Sequence, residues 1–411
     1  MRWVIVNTDY PDFLRHHYSS NPGLERAPYQ EQLQARRDTL FGVADFYSAN
    51  LRKLGQEAWE LYANNDALQR AWARERGIGA APAAAGRSLR PQPPAVHRLL
   101  QVTALKRLAR SVLERRTLFA PPRGRILAAQ LAHYRPDVVL NQATEEVDAA
   151  LLRTAAPNAL IVGQIASPLP DDVDFRSYDL VVSSLPHFVD RFRAQGVPSE
   201  LNRLAFDPRV LSRIGPRVPG IDVSFVGSLS PAHAGRLAWI EPLCYELPVA
   251  VWAHGAGSLP PGSPIRRRLQ GQAWGADMYA VLRRSKITLN HHIDVAEDHA
   301  NNMRLFEATG AGALLVTDSK RDLAELFEPG CEVAAYRTPQ ECIALVRRYL
   351  EDDGEREAVA RAGQARTLRD HTYLARMREL AEICAPRLAR KRRDPGGPTA
   401  GSRGTGGLEL D

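Results

Sequence analysis

Short, nearly continuous apolar runs rich in β-branched residues, spaced by stretches of helical length, constrain this chain more than any other feature. Asp137-Val138-Val139-Leu140-Asn141-Gln142, Leu160-Ile161-Val162-Gly163-Gln164-Ile165 and Asp179-Leu180-Val181-Val182-Ser183-Ser184 are examples. A strand that is apolar on both faces must be covered on both faces, which is the condition of a parallel sheet between layers of helices. Each run also stops at polar or small residues, and those lie at the carboxyl edge where open α/β sheets place ligands. The pattern predicts an α/β fold with doubly wound sheets.

The same grammar runs from the N-terminus. A strand from Trp3 to Val6 precedes a polar loop carrying Asp9, Tyr10, His16, His17 and Tyr18. Leu33, Leu40, Ala44, Tyr47, Leu51 and Leu54 recur at helical intervals and predict one helix ending near Gly55, before a strand from Ala58 to Tyr62. Gly77 to Pro94 is rich in Ala, Gly and Pro and reads as a flexible linker, residues 77–94; a helical stretch from Val96 to Leu131 follows. After the Gly/Pro-rich segment Gly215 to Gly220, strands at Val223 to Val226, Pro248 to Trp252, Lys286 to Asn290, Ala313 to Val316 and Val333 to Ala335 alternate with helices beginning at Gly235, Ala276, Met303, Asp322 and Pro339.

At 411 residues the chain exceeds the roughly 250–300 beyond which one core stops growing. The expectation is therefore two Rossmann-like doubly wound domains facing a central cleft, residues 1–215 and 216–390, with a basic and then Gly/Pro/Thr/Ser-rich disordered tail at 391–411.

Composition narrows the function classes. No apolar run approaches the ~20 residues of a membrane helix, and the first residues lack the apolar core of a signal peptide. Four cysteines without a CxxC pair argue against a disulfide framework and a zinc knuckle and fit a reducing cytoplasm. A net charge of +7 suits nucleic acid, acidic lipid or a phosphorylated ligand. The excess is arginine scattered along the whole chain with no nucleic-acid-binding signature, so no nucleic-acid partner is expected.

The segment Leu289-Asn290-His291-His292-Ile293-Asp294, followed by a polar loop and Asn301-Asn302-Met303-Arg304-Leu305-Phe306-Glu307-Ala308-Thr309-Gly310-Ala311-Gly312, is the most informative. It lays out strand, loop, helix and glycine turn. A helix starting near Asn302, capped by Asn301 or Asn302, aims its free N–H groups and positive dipole end over the loop, which suits a diphosphate. Glu307, about one turn in, is placed to accept hydrogen bonds from the two hydroxyls of a ribose, with Arg304 on the same face. From spacing alone this pair reads equally as a surface i,i+3 ion pair. Gly227 and Ser228, closing a strand, let backbone approach phosphates, and Arg236 or His233 supplies positive charge. His254-Gly255-Ala256-Gly257 ends the next strand and reads as a wall for a nucleobase or as a plain turn. His291, His292, Asp294, Asp298 and His299 carry metal-ligand chemistry, but adjacent histidines on a strand face opposite ways; a phosphate or sugar contact by His291 or His292 is the preferred reading, and no metal is expected.

From about Val223 to Leu380 the chain resembles the group 1 glycosyltransferase domain of the CgeB-like spore-maturation proteins. The residues that carry the resemblance are Phe225-Val226-Gly227-Ser228, the run from Asn302 to Leu315, Leu326-Phe327-Glu328-Pro329-Gly330 and His371-Thr372-Tyr373. The resemblance implies the GT-B architecture, with the first domain on the acceptor side and the second binding a nucleotide sugar, and it assigns Glu307 to the donor ribose. Many relatives carry a second glutamate eight positions earlier, where this chain has His299, beside Glu297 and Asp298.

The expected activity is hexosyl transfer from a UDP-, GDP- or dTDP-linked sugar to an unidentified acceptor, the nucleotide sugar being a co-substrate and no further cofactor being required. A nucleotide-sugar epimerase or phosphorylase on the same scaffold, and a non-catalytic nucleotide- or sugar-binding protein, are the alternatives. As catalytic residues the sequence offers His299 and Asp9, the latter directly after the first strand as a base; Asp9 reads equally as a carboxylate capping the adjoining loop or helix.

Overall fold

The computed structural model describes residues 1–78, 121–229 and 234–394. They form two α/β lobes, each built on a six-stranded, all-parallel sheet. The first sheet runs β2-β1-β3-β4-β5-β6, with β1 Arg2–Asn7, β2 Glu57–Tyr62, β3 Val138–Asn141, β4 Leu160–Gln164, β5 Leu180–Ser183 and β6 Ser199–Leu201. The second runs β12-β11-β10-β7-β8-β9, with β7 Ile221–Ser228, β8 Val249–His254, β9 Leu269–Gly271, β10 Ser285–Leu289, β11 Leu314–Asp318 and β12 Ala334–Tyr336. Strand addition reverses direction between β1 and β3 in one sheet and between β7 and β10 in the other. Those two points are the crevices where an open sheet of this kind takes its ligand.

Alternation along β1 shows why its apolar run is needed on both faces. Trp3 and Ile5 pack with Phe46, Tyr47 and Leu51, whereas Val4 and Val6 pack with Leu127, Leu131 and Leu152 on the other side. The cluster holding Trp3 continues through Phe206 to Leu305, Phe306, Met377 and Leu380, so the lobes share apolar contact. Gly310 makes room there: a Cβ on it would come 2.5 Å from the Phe206 ring.

Several local expectations are corrected. The single helix expected across Leu33 to Leu54 is two, Tyr29–Asp38 and Phe46–Lys53. Between them Leu40, Gly42 and Ala44 take positive φ of 54°, 60° and 41°. The break lets the Thr39 carbonyl accept the Ala276 N–H of the second lobe at 2.7 Å. A Cβ on Gly275 would lie 1.9 Å from that carbonyl oxygen, so this seam closes only on glycine. Residues 11–19, expected within a polar loop, form the helix Pro11–Ser19, started by a proline in its first turn. The edge strands β6 and β9 are three residues each, too short for a periodic signal.

The last helix, Tyr373–Arg393, returns to the first lobe. Residues 391–393, assigned to the tail from sequence, are helical because the first lobe supplies partners: Lys391 reaches Asp179 at 2.7 Å and Arg392 reaches Asp137 at 2.6 Å. Arg387 adds a third such pair, to Glu200 at 2.5 Å. The expected linker beyond Ile78, the helical stretch from Val96 up to residue 120, His233 and the tail from residue 395 lie outside the described residues. Among the described residues no helix is long and apolar enough to cross a membrane.

Candidate functional site

The crevice of the second lobe is built from the ends of β7 and β10. Gly227 and Ser228 close β7, and Asn290, His291 and His292 follow β10. The helix Met303–Ala311 starts across this gap. Its cap is Asn302, held extended, whose side-chain oxygen accepts the Leu305 N–H at 3.2 Å. The Asn302 amide also donates to Asn290 Oδ1 at 2.7 Å, and Asn290 donates to Thr317 Oγ1 at 2.9 Å. This amide chain ties the helix start to β10 and β11. Asn301 is buried immediately before the cap.

Arg236, in the first turn of the helix Ala234–Glu246, leans over the same gap. Its guanidinium donates to the His291 carbonyl at 3.0 Å and the Ser228 carbonyl at 3.4 Å, and its Nε, though buried, has no partner. Among the described residues it bonds to no carboxylate. Burial, reinforced by repulsion from Arg304, lowers its pKa to about 10, so the cation is held at a cost that an anionic ligand would relieve.

Arg304 and Glu307 lie beneath. Arg304 Nη1 meets Glu307 Oε2 at 2.8 Å, with side-chain exposures of 14% and 6%. The pair is therefore internal, not the surface pair that spacing alone allowed. Arg304 also donates to the Val226 carbonyl at 3.1 Å and touches Met278 Sδ at 3.1 Å. Burial raises the Glu307 pKa, while Arg304 and the Tyr279 hydroxyl oppose that rise. The Tyr279 contact to Oε1 is long, 3.4 Å, which leaves that oxygen with lone pairs to offer.

The histidines separate. His291 stacks on Trp239 with ring centres 4.8 Å apart and meets the Tyr336 hydroxyl at 3.2 Å; its carbonyl, not its ring, is what holds Arg236. His292 turns to Asp318 at 2.6 Å, and its Nε2 is buried without a partner. Asp318 is held well below the usual carboxylate range by that imidazole and by His291, against the opposing effect of burial. His299 pairs with Asp322 at 3.0 Å and contacts Arg321. Its ring stacks at 5.2 Å on His187, which belongs to the first-lobe helix Pro186–Ala194. Among the described residues no group of three or more His, Cys, Asp or Glu is arranged to hold a metal ion.

Asp9, read from the sequence as a candidate base, is an ion-pair partner of Arg36. Both of its oxygens are taken by Arg36, with Nε to Oδ2 at 2.9 Å and Nη2 to Oδ1 at 2.5 Å, and the residue is 4% exposed. It caps no helix, since the cap of Pro11–Ser19 is Tyr10. Its carboxylate is an internal counter-ion whose two oxygens are both engaged by Arg36.

The sequence reading missed Trp239, Tyr279, Asp318 and His187. Asp318 did carry a signal, as the first charged residue after the apolar run of β11. The other three are brought in only by tertiary packing.

These features define a two-lobe α/β fold of the GT-B type. Residues 209–382 match the family described as glycosyl transferase-like. No curated protein sequence matches the chain. Among solved structures, HepE of Anabaena in complex with UDP and glucose superposes with a TM-score of 0.53 at 13% identity, over 94% of this chain and 100% of that one. Sucrose-phosphate synthase from Thermosynechococcus elongatus gives 0.51 at 12%, over 95% and 100%. AviGT4, a glycosyltransferase of avilamycin A biosynthesis, gives 0.51 at 14%, over 95% and 98%. At these identities the likeness is one of fold.

Proposed function

We propose that the protein transfers a sugar from a nucleoside diphosphate sugar to an acceptor hydroxyl, with the donor seated in the crevice between β7 and β10. The observation that carries this reading is Arg236, a half-buried cation whose hydrogen bonds go only to the Ser228 and His291 carbonyls among the described residues. It sits beside a helix start capped by Asn302. A diphosphate is the ligand that satisfies both a stranded guanidinium and a positive dipole end. Glu307, a turn further in, takes the ribose hydroxyls through Oε1. UDP in the complex of the structurally similar HepE makes uridine diphosphate the first donor class to test.

In the proposed reaction the acceptor oxygen attacks the anomeric carbon of the sugar. The bond from that carbon to the diphosphate oxygen breaks, its electron pair goes to the leaving diphosphate, and the proton of the acceptor hydroxyl passes to that diphosphate or to solvent. Arg236 and the N-terminus of Met303–Ala311 stabilise the charge that grows on the leaving group, where preorganised donors are most effective. His299, locked to Asp322 and stacked on His187, fixes the seam of the two lobes beside this site.

The test is release of free nucleoside diphosphate from UDP-, GDP- and dTDP-glucose by wild type and Glu307→Ala. Release from one donor, reduced at least tenfold in the variant, is the expected result. No release from any donor by the wild type, with an extract of candidate acceptors present, counts against the reading.

A further inference from the structure

The loop between β10 and the helix Met303–Ala311 is shaped partly by the first lobe. Val295 and Ala296 pack into the apolar cluster that holds Leu185 and Phe188. Glu297 takes a positive φ of 49°, a strained conformation for a residue with a Cβ, which persists where the surroundings over-determine it. Two bonds do so: the Lys320 ammonium donates to the Glu297 carbonyl at 2.7 Å, and the Arg321 N–H to the Asp298 carbonyl at 3.2 Å. Asp322 then fixes the next two residues, one oxygen accepting the Ala300 N–H at 2.6 Å and the other facing His299 Nδ1 at 3.0 Å. Arg203 of the first lobe lies 3.8 Å from that second oxygen. Asn302, the cap of the helix, is two residues beyond Ala300, so the backbone at His299 and Ala300 sets where the helix starts.

His299 is neutral in this arrangement. Its Nε2 contacts the Arg321 guanidinium, which can only donate, so the ring hydrogen lies on Nδ1 and points to Asp322. Over this ring, 14° from parallel and 5.2 Å centre to centre, lies His187 of the first lobe. Both His187 nitrogens are buried and make no hydrogen bond of normal geometry among the described residues. The groups facing it are Glu297, 3.8 Å away with its side chain 69% exposed, the Arg321 guanidinium, the Val295 carbonyl and the edge of the Phe188 ring. Burial lowers the His187 pKa, with His299 and Arg321 reinforcing and Glu297 and the Val295 carbonyl opposing.

We infer that His187 is a positioning residue for the start of the helix Met303–Ala311: its neutral ring supports His299, and protonation of the stacked pair at acid pH releases the backbone before Asn302 and weakens nucleotide binding. This rests on the donor reading above. A proton on His299 sets a new N–H against the Arg321 guanidinium, breaking that contact. A proton on His187 places a cation on the face it shares with His299 and beside Arg321, and the exposed Glu297 is a solvated counter-ion. The neutral stack is therefore complete above the ordinary imidazole value of about 6.5 and is lost as pH falls below it. In this way a first-lobe side chain that touches no donor governs how well the second lobe holds one.

The experiment is calorimetric titration of the full chain with UDP, GDP and dTDP at pH 7.5 and pH 5.5, with thermal melts at both, for wild type, His187→Phe and His187→Ala. Phenylalanine keeps a flat ring over His299 but takes up no proton. The nucleotide's own phosphate titrates in this range, so the quantity read is the ratio of variant to wild-type affinity at each pH. His187→Phe is expected to match wild type within about twofold at pH 7.5 and to bind roughly fivefold more tightly than wild type at pH 5.5, where only the wild type gains a second charge in the stack. His187→Ala, which has no ring to support His299, is expected to bind roughly fivefold more weakly at pH 7.5. A His187→Phe ratio that is the same at both pH values, in proteins that melt alike, overturns the inference and spares the donor reading. A His187→Ala that binds like wild type at pH 7.5 does the same. A wild type that binds none of the nucleotides at pH 7.5 overturns the donor reading and this inference with it.

Discussion

Arg36 meets Asp9 side-on, nitrogen pair to oxygen pair, with both side chains at 3% exposure or less, and the guanidinium lies 4.8 Å from the Phe13 ring centre and 4.6 Å from that of Tyr62. The pair joins the loop after β1 to the helix Tyr29–Asp38, and that helix ends at Thr39, which bonds the second lobe. It therefore holds in place the part of the first lobe that faces the cleft.

Removing one partner of a buried pair leaves the other as an uncompensated charge, which typically costs about 3–5 kcal/mol. Asp9→Ala is expected to lower stability by that amount in urea denaturation. Asp9→Asn, Arg36→Met, which removes both charges together, is expected to lose much less. A proton-accepting role would give the opposite pattern: Asp9→Ala would melt like wild type and lose only turnover.

Glu60 is a second internal carboxylate, 1% exposed, accepting from the Ser48 N–H at 2.9 Å and from the Ser48 hydroxyl. Among the described residues no cation forms an ion pair with it. Burial raises its pKa from 4.5 to about 7, with Ser48 opposing. The folded state thus binds this proton more tightly than the unfolded chain. The contribution is most favourable below about pH 4.5 and is lost as pH rises through 7, a difference of about 3 kcal/mol. Glu60→Gln is expected to gain stability over wild type between pH 5 and pH 8, measured as the difference in unfolding free energy; a difference that stays constant over that range contradicts the assignment.

How far the chain could be read without its structure depended on the range of the forces involved. β3, β4 and β5 were legible because a strand covered on both faces leaves a nearly unbroken apolar run, and the start at Met303 was legible because Asn302 is a cap whose partner is three residues away. The break at Leu40 was not, since Leu40 and Ala44 continue the helical period and the reason for the break, the Ala276 N–H on the Thr39 carbonyl, comes from more than 200 residues along the chain. Asp9 shows the same limit. Its place at a strand end suited a base, and only Arg36, delivered by the folding back of another helix, makes it a counter-ion. Arg236 was chosen for its charge, but the property that matters, a set of partners that among the described residues is carbonyls only, is tertiary.

The most direct test of the donor site is calorimetric titration of the full chain with UDP, GDP and dTDP at pH 7.5, repeated on Arg236→Ala. Micromolar binding of one nucleotide by the wild type is expected, at least tenfold weaker in the variant, whose fold is unchanged because it loses a cation that has no carboxylate partner among the described residues. Equal affinity in the two proteins, or no nucleotide binding by the wild type, would contradict the claim that this crevice is built for a diphosphate.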